Sequence, residues 1–183
     1  CMAFGSGMAA LHAAVMACVR AGSTVLVAKQ HYGGTHDLLF TGLADLGIQV
    51  RDYDGIDELE SQLSGDVDLV VCESVSNPTL IVCDLPRVAE LAHSVGAKLL
   101  VDATFTPATQ MRVLEHGVDI AMHSGTKYYG GHSDLTAGLL VGSAEQLEPM
   151  LAWRKRAGGV LDPHAASLLD RGIKTLALRM EAH

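Results

Sequence analysis

The chain has few aromatic residues, few basic residues and no long apolar run. Only 4% of its 183 residues are aromatic whereas 49% are apolar, so its core must be built mainly from aliphatic side chains. Its 13 Lys and Arg against 21 Asp and Glu give a net charge of −8. The one basic cluster, 154–156, fits a helix face, so nucleic acid is not expected as a partner. No apolar run approaches the roughly 18 residues of a membrane span, so no membrane partner is expected either.

Cysteine pairs of the Cys-x-x-Cys type are also absent. The four cysteines are Cys1, Cys18, Cys72 and Cys83. Cys18 and Cys72 lie in apolar runs, which is typical of reduced core residues. Because thiols stay reduced in the cytosol, the sequence predicts a cytoplasmic protein.

Metal-ligating patterns are limited to Glu90-x-x-His93, whose spacing is that of half a di-iron motif. The chain has no second copy, and the surrounding segment has the pattern of an ordinary amphipathic helix. We therefore expect a solvated helix face and no metal site.

Apolar runs that fit strands alternate with segments that fit helices. The predicted strands are 24–28, 48–53, 68–72, 98–102, 118–123 and 137–142, and the predicted helices are 8–21, 34–46, 56–63, 85–95 and 144–156. Asp84 is placed to cap a helix start, and Gly22, Gly47 and Gly96 follow helix ends, where a left-handed residue is favoured. Several strands are nearly continuous in Val, Leu and Ile, which indicates burial on both faces. We predict an α/β fold, a three-layer α/β/α sandwich with a mostly parallel sheet.

The most informative stretch is 123–134, which centres on Lys127. Lys127 lies between a strand-like run and a glycine-bearing turn, and Ser124 and Thr126 precede it closely. Such a lysine, taken alone, is most often a solvated side chain. Hydroxyl groups, however, suit a phosphate, and a lysine amine suits a carbonyl carbon. Together these residue types predict pyridoxal 5'-phosphate, which is both an aldehyde and a phosphate ester.

Two other segments carry the remaining groups that this cofactor needs. Asp102 ends an apolar run, where its carboxylate could pair with the pyridine nitrogen. Ser6 and Gly7 open an alanine-rich helix, whose N-terminus suits a phosphate. Ligands of open α/β sheets bind beyond the carboxyl ends of the strands. We therefore expect Asp102, 73–77 and 123–127 to lie at one site.

Seven motifs follow one another along the chain. They are Ser6-Gly7-Met8-Ala9-Ala10, Tyr32-Gly33-Gly34-Thr35, Glu73-Ser-x-Ser-Asn77-Pro78, Val101-Asp102-x-Thr104-Phe105, His123-Ser-x-Thr-Lys-Tyr128, Gly131-His-Ser-Asp134 and Arg171-Gly-x-Lys-Thr-Leu176. On these motifs the chain resembles the large domain of the fold-type I pyridoxal-phosphate enzymes of cysteine and methionine metabolism. This family includes cystathionine γ-synthase, cystathionine γ-lyase and β-lyase, methionine γ-lyase and homoserine-ester sulfhydrylases. One motif alone is weakly specific, whereas seven in order are highly specific.

The resemblance implies a role for each matching residue. Lys127 would carry the cofactor as a Schiff base, Asp102 would pair with the ring nitrogen, and Tyr32 would stack on the ring and assist proton transfer. The other implied cofactor contacts are the backbone of Gly7 and Met8 and the hydroxyls of Ser124 and Thr126 at the phosphate, and Asn77 near the phenolic oxygen. Taken singly, Asp102 also fits a helix N-cap and Tyr32 an ordinary half-buried aromatic residue.

The implied activity is elimination or replacement at the γ-carbon of a sulfur amino acid or an activated homoserine. The alternative within the family is a β-lyase that cleaves cystathionine. Asp37 stands where many γ-synthases carry arginine, which leaves open how the distal part of the substrate is recognised. Family members are usually homotetramers, built as dimers of dimers that share active sites.

The resemblance also implies a domain organisation. Residues 1–160 are expected to form the cofactor-binding large domain without the N-terminal part of the parent protein, and 161–183 a helical connector toward a C-terminal domain. The family completes its site with a Tyr-x-Arg segment from a neighbouring subunit and an arginine from the small domain. An inert cofactor-binding fragment is therefore the alternative for these residues on their own.

A nucleotide-binding module is the alternative of a different class. The stretch 5–10 fits the Gly-x-Gly-x-x-Ala fingerprint of dinucleotide-binding folds. Only four residues precede it, too few for the expected strand, and no acid for a ribose follows 24–28. The sequence therefore favours the pyridoxal-phosphate hypothesis.

Overall fold

Seven strands form one mixed sheet in the computed structural model, which describes residues 1–183. Their bounds are Met2–Phe4 (β1), Thr24–Ala28 (β2), Gln49–Tyr53 (β3), Val67–Glu73 (β4), Lys98–Asp102 (β5), Ile120–Ser124 (β6) and Gly138–Val141 (β7). Their order in space is β1-β7-β6-β5-β4-β2-β3. Strands β2 to β6 pair in parallel with one another, whereas β7 is antiparallel to both β6 and β1. The predicted, mostly parallel sheet is confirmed.

Helices cover both faces of this sheet. Their bounds are Gly7–Cys18 (α1), Gly33–His36 (α2), Ile56–Gln62 (α3), Leu85–Ser94 (α4), Ala144–Arg156 (α5), Pro163–Ile173 (α6) and Leu176–Ala182 (α7). One buried cluster joins α1 and α5 to one sheet face, and a second joins α3 and α4 to the other. Successive side chains of a strand point to opposite faces. Accordingly Leu69 and Val71 of β4 enter the first cluster, and Val70 and Cys72 the second. This is the predicted three-layer sandwich.

Two predicted helices have different bounds in the structure. Helix α1 ends at Cys18, because Val19 is already extended, with φ −123° and ψ 160°. Gly22 therefore lies beyond the helix end and does not cap it. The predicted helix 34–46 is instead α2, a π-helical turn over Asp37–Gly42 and a 3-10 turn over Ala44–Leu46. Glycine within this segment weakens a regular helix.

The predicted capping residues Asp84, Gly47 and Gly96 are confirmed, with Gly47 ending the 3-10 turn Ala44–Leu46. The Asp84 carboxylate accepts a hydrogen bond of 3.2 Å from the backbone N–H of Arg87, at the start of α4. Gly47 and Gly96 adopt the left-handed conformation, with φ of 71° and 80°. On α4 itself, Glu90 pairs with Arg87 at 2.7 Å and His93 with Asp119 at 2.9 Å, both on the exposed face.

Strand β1 corrects one argument from the sequence. A strand does precede the glycines of the fingerprint at 5–10, although its three residues are too few to show a periodic pattern. It pairs only with β7, in the antiparallel sense, and not with β2. No parallel β-α-β unit therefore begins at this turn, as the nucleotide-binding alternative would require.

The C-terminal segment packs on the turn that follows β6. Leu169 of α6 is buried beside Leu135 and Leu139. Gly172 lies so close to this turn that a β-carbon there would come within 2.3 Å of the Gly130 carbonyl oxygen. The division of the chain after residue 160 stays a prediction. None of the helices has the length and apolar character needed to span a bilayer.

Candidate active site

A cavity of about 960 Å³ opens where β4, β5 and β6 end. Its walls come from segments far apart in the sequence, because these strands are neighbours in the sheet. All eight residues that the sequence predicts for the site line it, namely Gly7, Met8, Tyr32, Asn77, Asp102, Ser124, Thr126 and Lys127. The expected clustering at one sheet edge is thus present in the structure.

Lys127 lies in a tight turn directly after β6. Its backbone N–H donates to the Ser124 carbonyl oxygen at 3.1 Å, and its own carbonyl oxygen accepts from Gly131 at 2.7 Å. The residue is exposed at the cavity wall. None of the ion pairs within the chain involves it. The backbone is therefore fixed while the amine remains available to a ligand.

The N-terminus of α1 faces the same cavity. The Ser6 hydroxyl caps the helix by accepting from Ala9 N–H at 3.0 Å, which leaves the amides of Gly7 and Met8 outside the intrahelical bonding pattern. A β-carbon on Gly7 would lie 3.2 Å from that of Ser124. A larger residue at this position would therefore require Ser124 to shift slightly. Unpaired amides at a helix start beside hydroxyl groups form a donor set that suits a phosphate.

Asp102 ends β5, in register with Glu73 on β4. Its carboxylate accepts a hydrogen bond of 2.9 Å from Thr104 N–H. Burial raises the pKa of Asp102, because the charged form loses hydration. No cation of this chain forms an ion pair with it. A half-buried carboxylate without a cationic partner in the chain fits a protonated ring nitrogen.

Glu73 begins the segment 73–77 that the sequence places at the site, although the sequence assigns it no role of its own. It is buried and lines the cavity, and its two carboxyl oxygens accept from Tyr32 N–H at 2.6 Å and Asn77 N–H at 2.8 Å. Burial, followed by the nearby Asp102 charge, raises the pKa of Glu73 to about 7. Its position at the end of a buried strand, which is the signal that singled out Asp102, could also have indicated a role for it.

The Tyr32 ring lies against Gly34 at the cavity wall. The residue is 50% exposed. A β-carbon on Gly34 would lie 2.6 Å from Tyr32 Cε1 and 3.0 Å from the sulfur of Met8. Glycine at 34 therefore makes room for the aromatic ring at the cavity wall, and the Glu73 hydrogen bond fixes the backbone that carries it.

Arg179 is a site residue that the sequence did not indicate. Its guanidinium lines the cavity and donates to Tyr128 O at 2.7 Å and Gly172 O at 2.8 Å. It thereby ties α7 to the turn that carries Lys127. On sequence alone Arg179 is one charged residue on a helix, with no signal that it reaches a turn 51 positions earlier.

His123 precedes this turn but does not line the cavity. Its Nδ1 lies 2.8 Å from the Ala103 carbonyl oxygen, and burial lowers the pKa of His123 to about 4. The imidazole is therefore neutral at physiological pH. Its place is structural, between β6 and the chain that leaves β5.

Comparisons with known proteins agree with this geometry. The sequence model of the family described as Cys/Met metabolism PLP-dependent enzyme matches residues 1–183. The chain is 38% identical over 186 residues to L-methionine γ-lyase of Pseudomonas putida, 40% over 183 to cystathionine γ-lyase of Bacillus subtilis, and 39% over 184 to cystathionine β-lyase of Lactococcus lactis. These alignments cover 98–100% of the chain but only 47–48% of the relatives.

A solved structure shows the same likeness. Cystathionine γ-lyase from Lactobacillus plantarum, complexed with L-serine, superposes with a TM-score of 0.92 at 33% identity. The superposition covers 97% of this chain and 47% of that one. The chain thus spans about half the length of the curated and solved relatives that it matches.

Proposed function

Because the chain belongs to the Cys/Met metabolism PLP-dependent enzyme family, we propose that its parent protein eliminates or replaces a group at the γ-carbon of a sulfur amino acid or an activated homoserine. The observation that supports this most is the cavity. It brings together a lysine amine, the half-buried carboxylate of Asp102 and a helix N-terminus flanked by hydroxyls. These groups fit the carbonyl, ring nitrogen and phosphate of the family's cofactor.

The positions of the cavity residues suggest which of them bind each part of the cofactor. Ser124, Thr126 and the amides of Gly7 and Met8 hold the phosphate, and Asp102 holds the ring nitrogen in its protonated form. Two further contacts are proposed at the ring, namely Tyr32 against its face and Asn77 near its phenolic oxygen. Glu73 positions these two residues, because its carboxylate accepts a hydrogen bond from the backbone of each.

Lys127 has two proposed tasks. Its amine attaches the cofactor covalently, and after the substrate amine replaces it, Nζ removes the proton from the substrate's α-carbon. Arginine could not do either, since it stays protonated and does not act as a nucleophile. Bound pyridoxal phosphate supplies the electron-accepting ring that makes this proton removable. For a reaction at the γ-carbon, Nζ must first pass on the α-proton, because only the neutral amine can then take up a proton from the β-carbon.

The test uses the full-length protein, reconstituted with pyridoxal phosphate and treated with borohydride. We expect peptide mass mapping to place the trapped cofactor on Lys127. The variant Lys127→Arg should lose both the trapped adduct and turnover, whereas Lys174→Arg, which changes an exposed lysine of an i,i+4 ion pair, should keep both. A cofactor trapped on another lysine would contradict the assignment.

The products then separate γ- from β-chemistry. With cystathionine as substrate, elimination at the γ-carbon releases 2-oxobutanoate, and elimination at the β-carbon releases pyruvate. We expect 2-oxobutanoate. Pyruvate alone would instead support the β-lyase alternative. The chain is 39% identical to a cystathionine β-lyase and 40% identical to a cystathionine γ-lyase, so identity does not separate the two activities.

Two coarser proposals concern the parent protein. We propose that it is a homo-oligomer, since family members share active sites between subunits. We also propose a cytoplasmic location. The support for the location is that all four cysteines are free thiols in the structure, as is typical of a reducing compartment.

A further inference from the structure

A second cavity, of about 250 Å³, lies beside the first, and Glu73 lines both. Two cysteines line it, Cys72 at the buried end of β4 and Cys83 on the segment that enters α4. Their sulfur atoms lie 3.7 Å apart. The remaining cysteines, Cys1 and Cys18, have no such partner. The function proposed above does not use this pair.

Backbone contacts hold the pair at the base of a closed loop. The Cys83 N–H donates to the Ser74 carbonyl oxygen at 3.1 Å, and Val75 forms an antiparallel bridge with Val82. The loop 74–82 therefore leaves and rejoins the same place and carries Asn77 toward the first cavity. A disulfide needs a sulfur separation of about 2.05 Å. The sulfurs must therefore move closer than their present 3.7 Å, and Cys83, which is the less buried of the two, is the side chain expected to move.

The two thiols differ in reactivity. The contact between the two sulfurs lowers the pKa of Cys83, whereas this contact and burial raise the pKa of Cys72. Cys83 is also partly exposed whereas Cys72 is buried. Because the thiolate is the nucleophile, Cys83 is the residue that reacts first and Cys72 the one that resolves.

The buried hydroxyl of Tyr53 faces the same cavity and has no hydrogen-bond partner. Burial, followed by the charges of Cys72 and Cys83, raises the pKa of Tyr53 well above its usual value. The hydroxyl therefore stays protonated and can donate to a small oxygen ligand held beside the sulfurs. An unpaired buried donor of this kind costs stability unless something occupies the cavity.

We propose that Cys72 and Cys83 form an oxidisable dithiol site, at which a small peroxide that enters the second cavity is reduced and a disulfide closes the loop 74–82. The Cys83 thiolate attacks one peroxide oxygen, the O–O bond breaks, and the leaving hydroxide takes up the proton that the Cys83 thiol released on ionisation, which gives water. The Cys72 sulfur then attacks the oxidised Cys83 sulfur. The S–O bond breaks, and water leaves with the Cys72 proton. Two thiols and one hydrogen peroxide thus give one disulfide and two waters.

The disulfide would restrict the motion of the segment that carries Glu73 and Asn77 at the wall of the first cavity. Cys72 precedes Glu73 directly, and the Asn77 amide is bonded to the Glu73 carboxylate within the closed loop. The bond therefore joins both ends of the segment that positions Asn77. Hydrogen exchange of the amides at 74–82 should be slower in the oxidised protein than in the reduced one.

The test treats the reduced, full-length protein with equimolar hydrogen peroxide, blocks the remaining thiols and maps the peptides by mass. We expect loss of the reduced Cys72 and Cys83 peptides, appearance of one peptide pair that is lighter by two hydrogens, and reversal by dithiothreitol. Cys83→Ser should abolish the cross-link and the slower exchange. Cys18→Ser, which removes a partly buried cysteine elsewhere, should keep both.

A second variant makes the order of attack visible. In Cys72→Ala, Cys83 has no resolving partner, so a sulfenic-acid trap such as dimedone should label Cys83 and not Cys18. The proposal is overturned if peroxide leaves the Cys72 and Cys83 peptides reduced while other cysteines react. It is also overturned if, in the wild-type protein, peroxide oxidises Cys83 to the sulfinic acid and no disulfide with Cys72 forms.

Discussion

Glu73 joins two separate loops of the site through one carboxyl group. It is buried, accepts two amide hydrogen bonds and has a pKa raised from 4.5 to about 7. Burial therefore opposes its charge even though both amide bonds favour it. The folded state consequently holds a proton on Glu73 at a pH where the unfolded state has released it.

This carboxyl group predicts a pH-dependent stability. Folding binds a proton between pH 4.5 and 7, so the contribution of Glu73 to the free energy of unfolding falls as pH rises through that window. Without cofactor, the free energy of unfolding of the wild type should therefore fall by roughly 3 kcal/mol relative to that of Glu73→Gln as the pH rises from 4.5 to 7. Urea unfolding at several pH values measures it.

The control for this experiment is Glu148→Gln, which changes an exposed glutamate outside the ion pairs. Its stability should follow the wild type at every pH. A constant difference between wild type and Glu73→Gln from pH 4.5 to 7 would mean that Glu73 titrates at its ordinary value.

Residue types that carry chemistry were predictable, whereas residues that act through their surroundings were not. Lys127 and Asp102 are recognisable from the motifs around them. Glu73 lies within a motif, yet its role depends on burial and on two amides brought to it by the fold. Arg179 depends on contacts between α7 and a distant turn, for which the sequence offers no local signal.

At the scale of elements, α6 supports the turn that carries Lys127. The Gly172 backbone lies against this turn, where a β-carbon would come within 2.3 Å of Gly130 O and 2.5 Å of Tyr129 O. Both contacts are backbone atoms, so neither can move without displacing the turn. Arg179 adds a second connection from α7.

This packing predicts that Gly172→Ala destabilises the protein. A methyl group usually favours a helix by about 1 kcal/mol, but here the clash should dominate, with a net loss of about 2 kcal/mol. Thermal unfolding measures the change. The control is Ser167→Ala, on the exposed side of the same helix. A Gly172→Ala variant as stable as the wild type would show that the turn can move to accommodate the methyl group.

Long, repetitive elements were predictable and short or broken ones were not. The strands β2 and β5 have the predicted bounds, because continuous aliphatic runs leave few alternatives. Strand β1 is too short for any periodicity, and its pairing depends on β7 at the other end of the chain. The segment 34–46 changes its hydrogen-bonding pattern twice, which local propensity does not encode.

At the scale of the whole molecule, the open cavity predicts assembly. Tyr32, whose ring is proposed to cover one face of the cofactor, is itself half exposed at the cavity wall. We expect a second subunit to cover this exposed surface. We expect light scattering of the full-length protein to give four times the chain mass. Dilution to monomers should release the cofactor. A monomer that retains the cofactor would contradict a site shared between subunits.

The walls of the first cavity begin at Ser6 and end at His183. Synthesis that stops between Lys127 and α7 has therefore produced Lys127 and Asp102 but not the wall that α7 provides. This wall forms only when the late segment has docked against the early ones. Chains interrupted before Arg179 should thus leave the ribosome without this wall of the cofactor pocket.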